Sequence, residues 1–204
     1  MNNKQLIAYY LRRLYEKNLT TCFGGNISIR EREHFIISET GIDKCIINEN
    51  NISCVSYDNT IINDVKPSSE YMMHSMIYNN NKNVNAIIHA HPPYATSYAL
   101  SNVQLDTTIS SEMYKNLGQI SLCKYEKPGS LDLAIAVNEA AMNSNTILMK
   151  NHGVIVLASD IHKAYYMIEL LEQLAKMSFI ISSIGDKAPI NLSKLNELGG
   201  IQYV

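Results

Sequence analysis

The sequence predicts an α/β protein in which one sheet is covered by helices on both faces. Two observations predict this class. Short segments rich in β-branched residues alternate with longer segments whose apolar residues recur at helical spacing. The 204 residues also contain no internal repeat, low-complexity linker or shift in composition. We therefore expect a single domain over residues 1–204, with a tail from about residue 185.

The first half of the chain begins with a helix and continues into strands. The helix is predicted for residues 3–18 because apolar residues recur there at helical spacing, namely Leu6, Ile7, Tyr10, Leu11 and Leu14. Gly24-Gly25 then breaks the chain, and Thr40-Gly41 forms a later turn. Polar and apolar residues alternate, or β-branched residues cluster, in three predicted strands, over 26–30, 34–38 and 52–57.

A second helix is predicted after Pro67, and it reaches about Tyr78. Ser68 and Ser69 offer a hydroxyl cap, and Glu70 places an acid in the first turn. The remaining elements follow from the same criteria. They are a strand over 85–90, a helix opened by Pro92-Pro93, a strand over 119–124, a helix over 131–142, strands over 146–150 and 154–157, and a helix over 161–183 capped by Asp160.

Composition limits the classes of function. Hydrophobic residues make up 46% of the chain and charged residues 18%, which is typical of a globular protein. A net charge of −2 without any lysine or arginine cluster gives no electrostatic basis for binding nucleic acid or a membrane surface. The apolar runs are too short to span a bilayer, and no signal-peptide core follows Met1. The four cysteines form no Cys-x-x-Cys pair, so we expect reduced thiols in a cytoplasmic protein.

The most informative segment is His89-Ala90-His91, which follows the apolar pair Ile87-Ile88. Side chains two positions apart on a strand project from the same face, so two imidazoles can bind one metal ion. A third ligand and an open position would make this a catalytic zinc site. His152 is the best third ligand, because Gly153 permits a tight backbone path beside it.

Glu70 is the candidate general acid or base. Around it, Ser68 and Ser69 offer hydroxyl and N–H groups at the start of the predicted helix, where an anion binds readily. The turns at Gly24-Gly25-Asn26 and Thr40-Gly41 add further donors that suit a phosphate group. No segment matches a P-loop or a dinucleotide-binding fingerprint, so we infer neither ATP nor NAD.

Six motifs, in collinear order from about residue 4 to residue 184, resemble the class II aldolase/adducin family. They are Gly25-Asn26-Ile27-Ser28, Thr40-Gly41, Lys66-Pro67-Ser68-Ser69-Glu70, His89-Ala90-His91-Pro92, Tyr125-Glu126-Lys127-Pro128-Gly129-Ser130 and Asn151-His152-Gly153. The resemblance implies a three-layer α/β/α fold around a mostly antiparallel sheet. It also implies a homotetramer whose active sites lie at the subunit interfaces.

The resemblance also assigns roles to individual residues. It implies a zinc ion on His89, His91 and His152, although imidazole ligands also accept Mn²⁺, Co²⁺ or Fe²⁺. Glu70 matches the catalytic carboxylate of the family. The positions that bind a substrate phosphate in the aldolases match Gly25, Asn26, Thr40, Gly41, Ser68 and Ser69.

The implied reaction is reversible cleavage of a ketose 1-phosphate, such as L-fuculose 1-phosphate, to dihydroxyacetone phosphate and a small aldehyde. A metal-stabilised enediolate carries the charge in that reaction. The aldolases also use a tyrosine from a neighbouring subunit and one near the C-terminus, and Tyr114 and Tyr203 lie in those regions. Glu39 departs from the pattern by adding a negative charge before Thr40.

Two other enzymatic activities and one non-catalytic role use the same scaffold. Pentulose-phosphate 4-epimerases share the metal site but typically carry Asp where this chain has Glu70. A methylthioribulose-1-phosphate dehydratase keeps the histidines and a nearby Glu. A non-catalytic adducin-like interaction domain is disfavoured by the intact histidine set.

Overall fold

The computed structural model describes residues 1–197. The strands are β1 (Asn26–Arg30), β2 (His34–Ser38), β3 (Ile52–Ser56), β4 (Ala86–Ala90), β5 (Ile120–Cys123), β6 (Thr146–Met149) and β7 (Gly153–Ala158). The helices are α1 (Asn3–Glu16), α2 (Tyr71–Asn80), α3 (Pro93–Ala99), α4 (Ser111–Leu117), α5 (Leu131–Ala141), α6 (Ile161–Ile184) and α7 (Leu192–Asn196). Short 3-10 helices cover Glu49–Asn51 and Thr107–Ile109.

The strands form one sheet in the order β3-β2-β1-β4-β7-β6-β5. Every neighbouring pair is antiparallel except β5 and β6, which are parallel. Alternate side chains face opposite sides, so Ile88 and Val156 join one apolar cluster while Ile87 and Leu157 join the other. Helices α1, α3 and α6 cover the first face, and α2 and α5 cover the second. The predicted three-layer fold with a mostly antiparallel sheet is confirmed.

The centre of the sheet brings two polar residues together. In the register between β1 and β4, Asn26 lies opposite His89, and on the other side His89 lies opposite Ile155 of β7. Cross-strand partners project from the same face, so the side chains of Asn26 and His89 are neighbours. This pair lies where β4 ends and the chain turns towards His91.

One prediction about Glu70 was wrong. Helix α2 begins at Tyr71, so Glu70 is its N-cap residue and not part of the first turn, and its side chain makes no capping bond. The preceding segment is held to the sheet instead, because Ser68 N–H donates to the Ser38 carbonyl and Pro67 bridges to Glu39. The helix therefore starts only after Glu70, which leaves the carboxylate free to face β4.

Tyr203, which was a candidate for a catalytic tyrosine, lies outside the described residues.

Within residues 1–197, no helix combines the length and apolar character needed to cross a bilayer.

Candidate metal centre and its cavity

Three histidine side chains, two from the end of β4 and one from the turn between β6 and β7, lie close together. His89 is in β4, His91 follows the end of that strand, and His152 lies in the turn between β6 and β7. One ligand nitrogen from each of the three lies within 4.8 Å of the others. The ring centroids are 4.7 Å apart for His89 and His91, 4.8 Å for His89 and His152, and 5.5 Å for His91 and His152.

The hydrogen bonds of His89 fix which of its nitrogens is available. Its Nδ1 lies 2.9 Å from the carbonyl oxygen of Val154. A carbonyl only accepts, so Nδ1 carries the proton and Nε2 keeps its lone pair. Nε2 of His89 is buried without a hydrogen-bond partner, and so is Nδ1 of His152. Unsatisfied buried nitrogens within a cluster of imidazoles suit a metal site, where the ion takes the place of the missing partner.

The surroundings keep the imidazoles neutral. Burial lowers the pKa of His89 to about 4. Burial and the neighbouring His89 and His152 lower the pKa of His91 to about 3, and burial followed by the charge of His89 lowers the pKa of His152. Neutral imidazoles keep the lone pairs that bind a metal, so the set fits a divalent transition metal without first losing protons.

Two glycines let the backbone approach these rings. A Cβ at Gly153 would lie 2.5 Å from Cδ2 of His91 and 2.7 Å from the carbonyl oxygen of Ala90. Gly25 has φ +69°, and a Cβ there would lie 2.7 Å from the carbonyl oxygen of His89. Side chains at either position would displace the strand end that carries the histidines.

Glu70 faces this cluster from the start of α2. The residue is 7% exposed, and its Oε2 lies 3.2 Å from Nε2 of His89 while its Oε1 lies 3.5 Å from Nε2 of His152. Asn26 donates from Nδ2 to Oε2 of Glu70 at 2.9 Å. The resemblance assigns Asn26 to the phosphate, and that role stays a prediction; in this structure its amide nitrogen holds the Glu70 carboxylate. A carboxylate in this position can exchange a proton with a substrate held at the histidines.

A cavity of about 180 Å³ opens beside the histidines. It brings together nine of the residues predicted for the site: Gly25, Asn26, Thr40, Gly41, Ser68, Ser69, Glu70, His91 and His152. His89, which is 1% exposed, lies behind them. Phe23, Lys44 and Pro128 also line the cavity. Pro128 belongs to one of the six family motifs, although no role was assigned to it. Phe23 and Lys44 were missed, because neither has a local pattern that distinguishes it from a surface residue.

The rim of the cavity is polar, and some of its polar groups already form hydrogen bonds within the protein. The Oε2 atom of Glu39 accepts from Nδ2 of Asn51 at 2.8 Å, so this carboxylate is held by a side-chain amide. Thr40 N–H donates to the carbonyl oxygen of Lys66 at 3.3 Å. Gly129, with φ +74°, packs its backbone against the carbonyl of Ser69, where a Cβ would come within 3.1 Å. The turn around Gly129 thereby supports the serine pair.

Tyr114 does not reach this cavity in its own chain. It lies in α4, its hydroxyl donates to Oδ1 of Asn196 at 3.0 Å, and it lines a different cavity of about 510 Å³. His74 is fully buried on α2, where Nδ1 is 2.7 Å from Oγ of Ser28. His74 therefore belongs to the packing behind the metal centre.

The fold and the histidine cluster together define an α/β enzyme with a candidate metal centre. Residues 5–179 match the model of the family described as Class II Aldolase and Adducin N-terminal domain. The chain belongs to this family, and it is an enzyme of the lyase class.

Individual relatives agree with this assignment. The chain is 35% identical to an L-fuculose phosphate aldolase of Methanococcus maripaludis, over 84% of this chain and 93% of the relative. It is 28% identical to a 3-oxo-tetronate 4-phosphate decarboxylase of Haemophilus influenzae, over 87% of each chain. A solved structure of L-fuculose 1-phosphate aldolase superposes with a TM-score of 0.89 at 27% identity, covering 96% of this chain and 93% of that one.

Proposed function

We propose that the chain is a zinc-dependent aldolase that reversibly cleaves a ketose 1-phosphate of the L-fuculose 1-phosphate type into dihydroxyacetone phosphate and a small aldehyde. One observation carries the proposal. The carboxylate of Glu70 faces two imidazoles of a three-histidine cluster. Glu70 and the cluster lie at a cavity that is also lined by hydroxyl side chains. The similarity to the Methanococcus maripaludis relative supports a sugar phosphate as substrate.

His89, His91 and His152 would hold the metal ion. A divalent ion bound there supplies a Lewis acid for the negative charge that develops beside the breaking carbon–carbon bond. Glu70 carries the proton that leaves or joins the substrate carbon, and Asn26 holds the carboxylate in place for that transfer. Three protein ligands leave room for the substrate, which a closed four-ligand site would exclude.

The opposite side of the cavity would bind the phosphate group. The hydroxyl side chains of Ser68, Ser69 and Thr40 and the turn at Gly41 line this side. The nearby carboxylate of Glu39 accepts from Asn51. Binding energy from the phosphate is remote from the bond that breaks, and it orients that bond towards Glu70.

We further propose a homotetramer with interfacial active sites. No tyrosine lines the histidine cavity among residues 1–197, and Tyr114 lines another one. A tyrosine acid from a neighbouring chain, such as the Tyr114 of that chain, would complete the site if Tyr203 of the same chain does not. The free, scattered thiols and a phosphorylated substrate support a cytoplasmic location.

Decarboxylation of a 3-oxo acid phosphate is a second candidate function. The similarity to the Haemophilus influenzae relative favours it. Loss of carbon dioxide beside a carbonyl leaves the same kind of charge on the substrate as aldol cleavage does, so the same metal site serves both reactions. Glu70 would then return a proton to the carbon from which carbon dioxide left.

A substrate panel tests the proposal. The metal-loaded protein is incubated separately with L-fuculose 1-phosphate, 5-deoxyribulose 1-phosphate, a 3-oxo-tetronate 4-phosphate, ribulose 5-phosphate and methylthioribulose 1-phosphate, and products are identified by mass spectrometry. We expect dihydroxyacetone phosphate from one of the first two. Release of carbon dioxide, epimerisation or dehydration, without any aldehyde product, would contradict the aldolase assignment and select the corresponding alternative.

A further inference from the structure

Lys44 is buried beside the phosphate end of the cavity. It is 1% exposed, although lysines are almost never fully buried without a partner. Its backbone N–H donates to the carbonyl oxygen of Cys22 at 2.8 Å, which fixes the loop after Thr40-Gly41 against the segment that leads to Gly25. Lys44 lines the same cavity as Ser68 and the Thr40-Gly41 turn.

The ammonium group has few partners of its own. Nζ donates to the carbonyl oxygen of Ile42 at 3.2 Å, and no carboxylate within residues 1–197 forms an ion pair with it. The nearest acid in sequence, Asp43, instead accepts from the N–H of Cys45 at 2.8 Å. An ammonium has three donors, so two are left for another acceptor. Burial lowers the pKa of Lys44, against a smaller opposing effect of Asp43.

Neither carboxylate of the cavity forms an ion pair with Lys44. Glu39 accepts from Asn51 and Glu70 accepts from Asn26, so each is held by a side-chain amide instead. The other groups near the turn are hydroxyls and backbone N–H groups, which are neutral donors. A buried cation next to a set of neutral donors matches an anion with several oxygens, of which a phosphate monoester is the clearest case.

We propose that Lys44 is the cationic contact for the substrate's phosphate group and sets the preference for phosphorylated over neutral substrates. The role in catalysis rests on the proposed function, whereas anion binding by Lys44 does not depend on it. A dianion beside the ammonium restores the charged form that burial disfavours, so binding and protonation of Lys44 support each other. Lys44 positions the substrate and takes no part in the bond that breaks.

Binding of inorganic phosphate tests the contact directly. Lys44→Met and Lys44→Gln remove the charge while keeping different amounts of side-chain volume, and Lys82→Met removes an exposed charge at the far end of β4. Calorimetry on the metal-loaded proteins should show the Kd for phosphate rising by roughly 10-fold to 100-fold in both Lys44 variants and unchanged in the Lys82 variant. An unchanged Kd in a folded Lys44 variant would overturn the proposal.

Substrate discrimination separates a phosphate contact from a purely structural lysine. In aldol addition to a fixed aldehyde, the Lys44 variants should lose kcat/KM with dihydroxyacetone phosphate but keep it with dihydroxyacetone. Equal loss with both ketones would overturn the proposal, as would borohydride trapping of dihydroxyacetone phosphate on Lys44, since that would make the lysine a covalent nucleophile. If the wild-type protein performs no aldol addition, the proposed function fails, and the phosphate calorimetry still decides the role of Lys44.

Discussion

Oε2 of Glu70 lies 3.2 Å from Nε2 of His89, the nitrogen that His89 leaves free by donating Nδ1–H to Val154. The two residues come from different elements, the N-cap of α2 and the end of β4. Asn26, opposite His89 in the sheet register, holds the same carboxylate oxygen. The Glu70 carboxylate therefore lies beside the free nitrogen of His89, a candidate metal ligand. Three features place it there: the register of β1 and β4, the start of α2 after Glu70, and the proton on Nδ1 of His89.

Replacing Glu70 with Gln should separate proton transfer from metal binding. Glutamine keeps the shape but cannot carry the proton, so exchange of dihydroxyacetone phosphate protons with solvent should fall by about 10²-fold to 10⁴-fold. Deuterium incorporation followed by NMR measures this, and metal content should stay at the wild-type level. Glu39→Gln, which alters the carboxylate held by Asn51, should retain exchange. Undiminished exchange in the Glu70 variant would rule out its proposed role.

Replacing His152 with Ala should remove one metal ligand. The cluster has three imidazoles, and two of them hold a divalent ion much more weakly, so metal content after dialysis should fall well below that of the wild type. His34→Ala is the matched control, because it removes an imidazole from β2 outside the cluster. Elemental analysis of both proteins gives the answer, and tight retention of a full complement by the His152 variant would exclude it as a ligand.

Gly153→Ala should disturb the candidate metal centre without replacing any of its ligands. The new Cβ would come within 2.5 Å of Cδ2 of His91 and 2.7 Å of the Ala90 carbonyl, so the ring and the strand end must shift. We expect a stability loss of about 1–3 kcal/mol, as for other overpacked sites, together with weaker metal binding. Gly185→Ala, where a Cβ meets nothing within 4 Å, should leave metal affinity unchanged. Equal metal affinity in the two variants would contradict the close packing of Gly153 on His91.

The sheet and most of the site could be predicted from the sequence because their signals are local. Alternation over β1 and clustered β-branched residues over β2 predicted the bounds that both strands have. The spacing of His89 and His91, with His152 as a third ligand, was enough to predict a metal centre, although β4 ends before His91. The family motifs assigned Ser68 and Thr40 to one phosphate site, and both residues line the same cavity. Their roles in binding phosphate stay predictions.

Other features depend on contacts between distant residues. Glu70 was expected in a first helical turn, but the bridge between Glu39 and Pro67 delays the start of α2. The amide of Asn26 reaches Glu70 because of cross-strand register, which no local pattern shows. Helix α4 was missed because its seven residues are too short to show clear periodicity. Lys44 resembles a surface lysine in sequence and becomes buried only through tertiary packing.

Stability of the metal-free protein should depend on pH through its buried histidines. Burial, and then the charge of His89, lowers the pKa of His74 from its ordinary value of 6.5 to about 3. A depressed folded-state pKa means that the unfolded chain binds more protons below pH 6.5. Stability is therefore fully present above that pH and is lost as the pH falls towards 3.

Urea unfolding between pH 7 and pH 4 measures this slope. Each such imidazole contributes up to about 1.4 kcal/mol per pH unit, and His74→Asn should reduce the slope by one proton. The variant also tests the packing of His74 on Ser28, so its stability at pH 7 is the reference for comparison. Identical slopes for the wild type and the variant would show that His74 is not held neutral by the fold.

The most direct test of the central claim is the rate of dihydroxyacetone phosphate release as zinc is added back to the metal-free protein, measured with both L-fuculose 1-phosphate and 5-deoxyribulose 1-phosphate. Because one cluster of His89, His91 and His152 is proposed to hold the ion, the rate should rise with zinc and level off at one ion per chain. Release that is equally fast in the chelated protein, or no release at full zinc occupancy, would contradict the proposal.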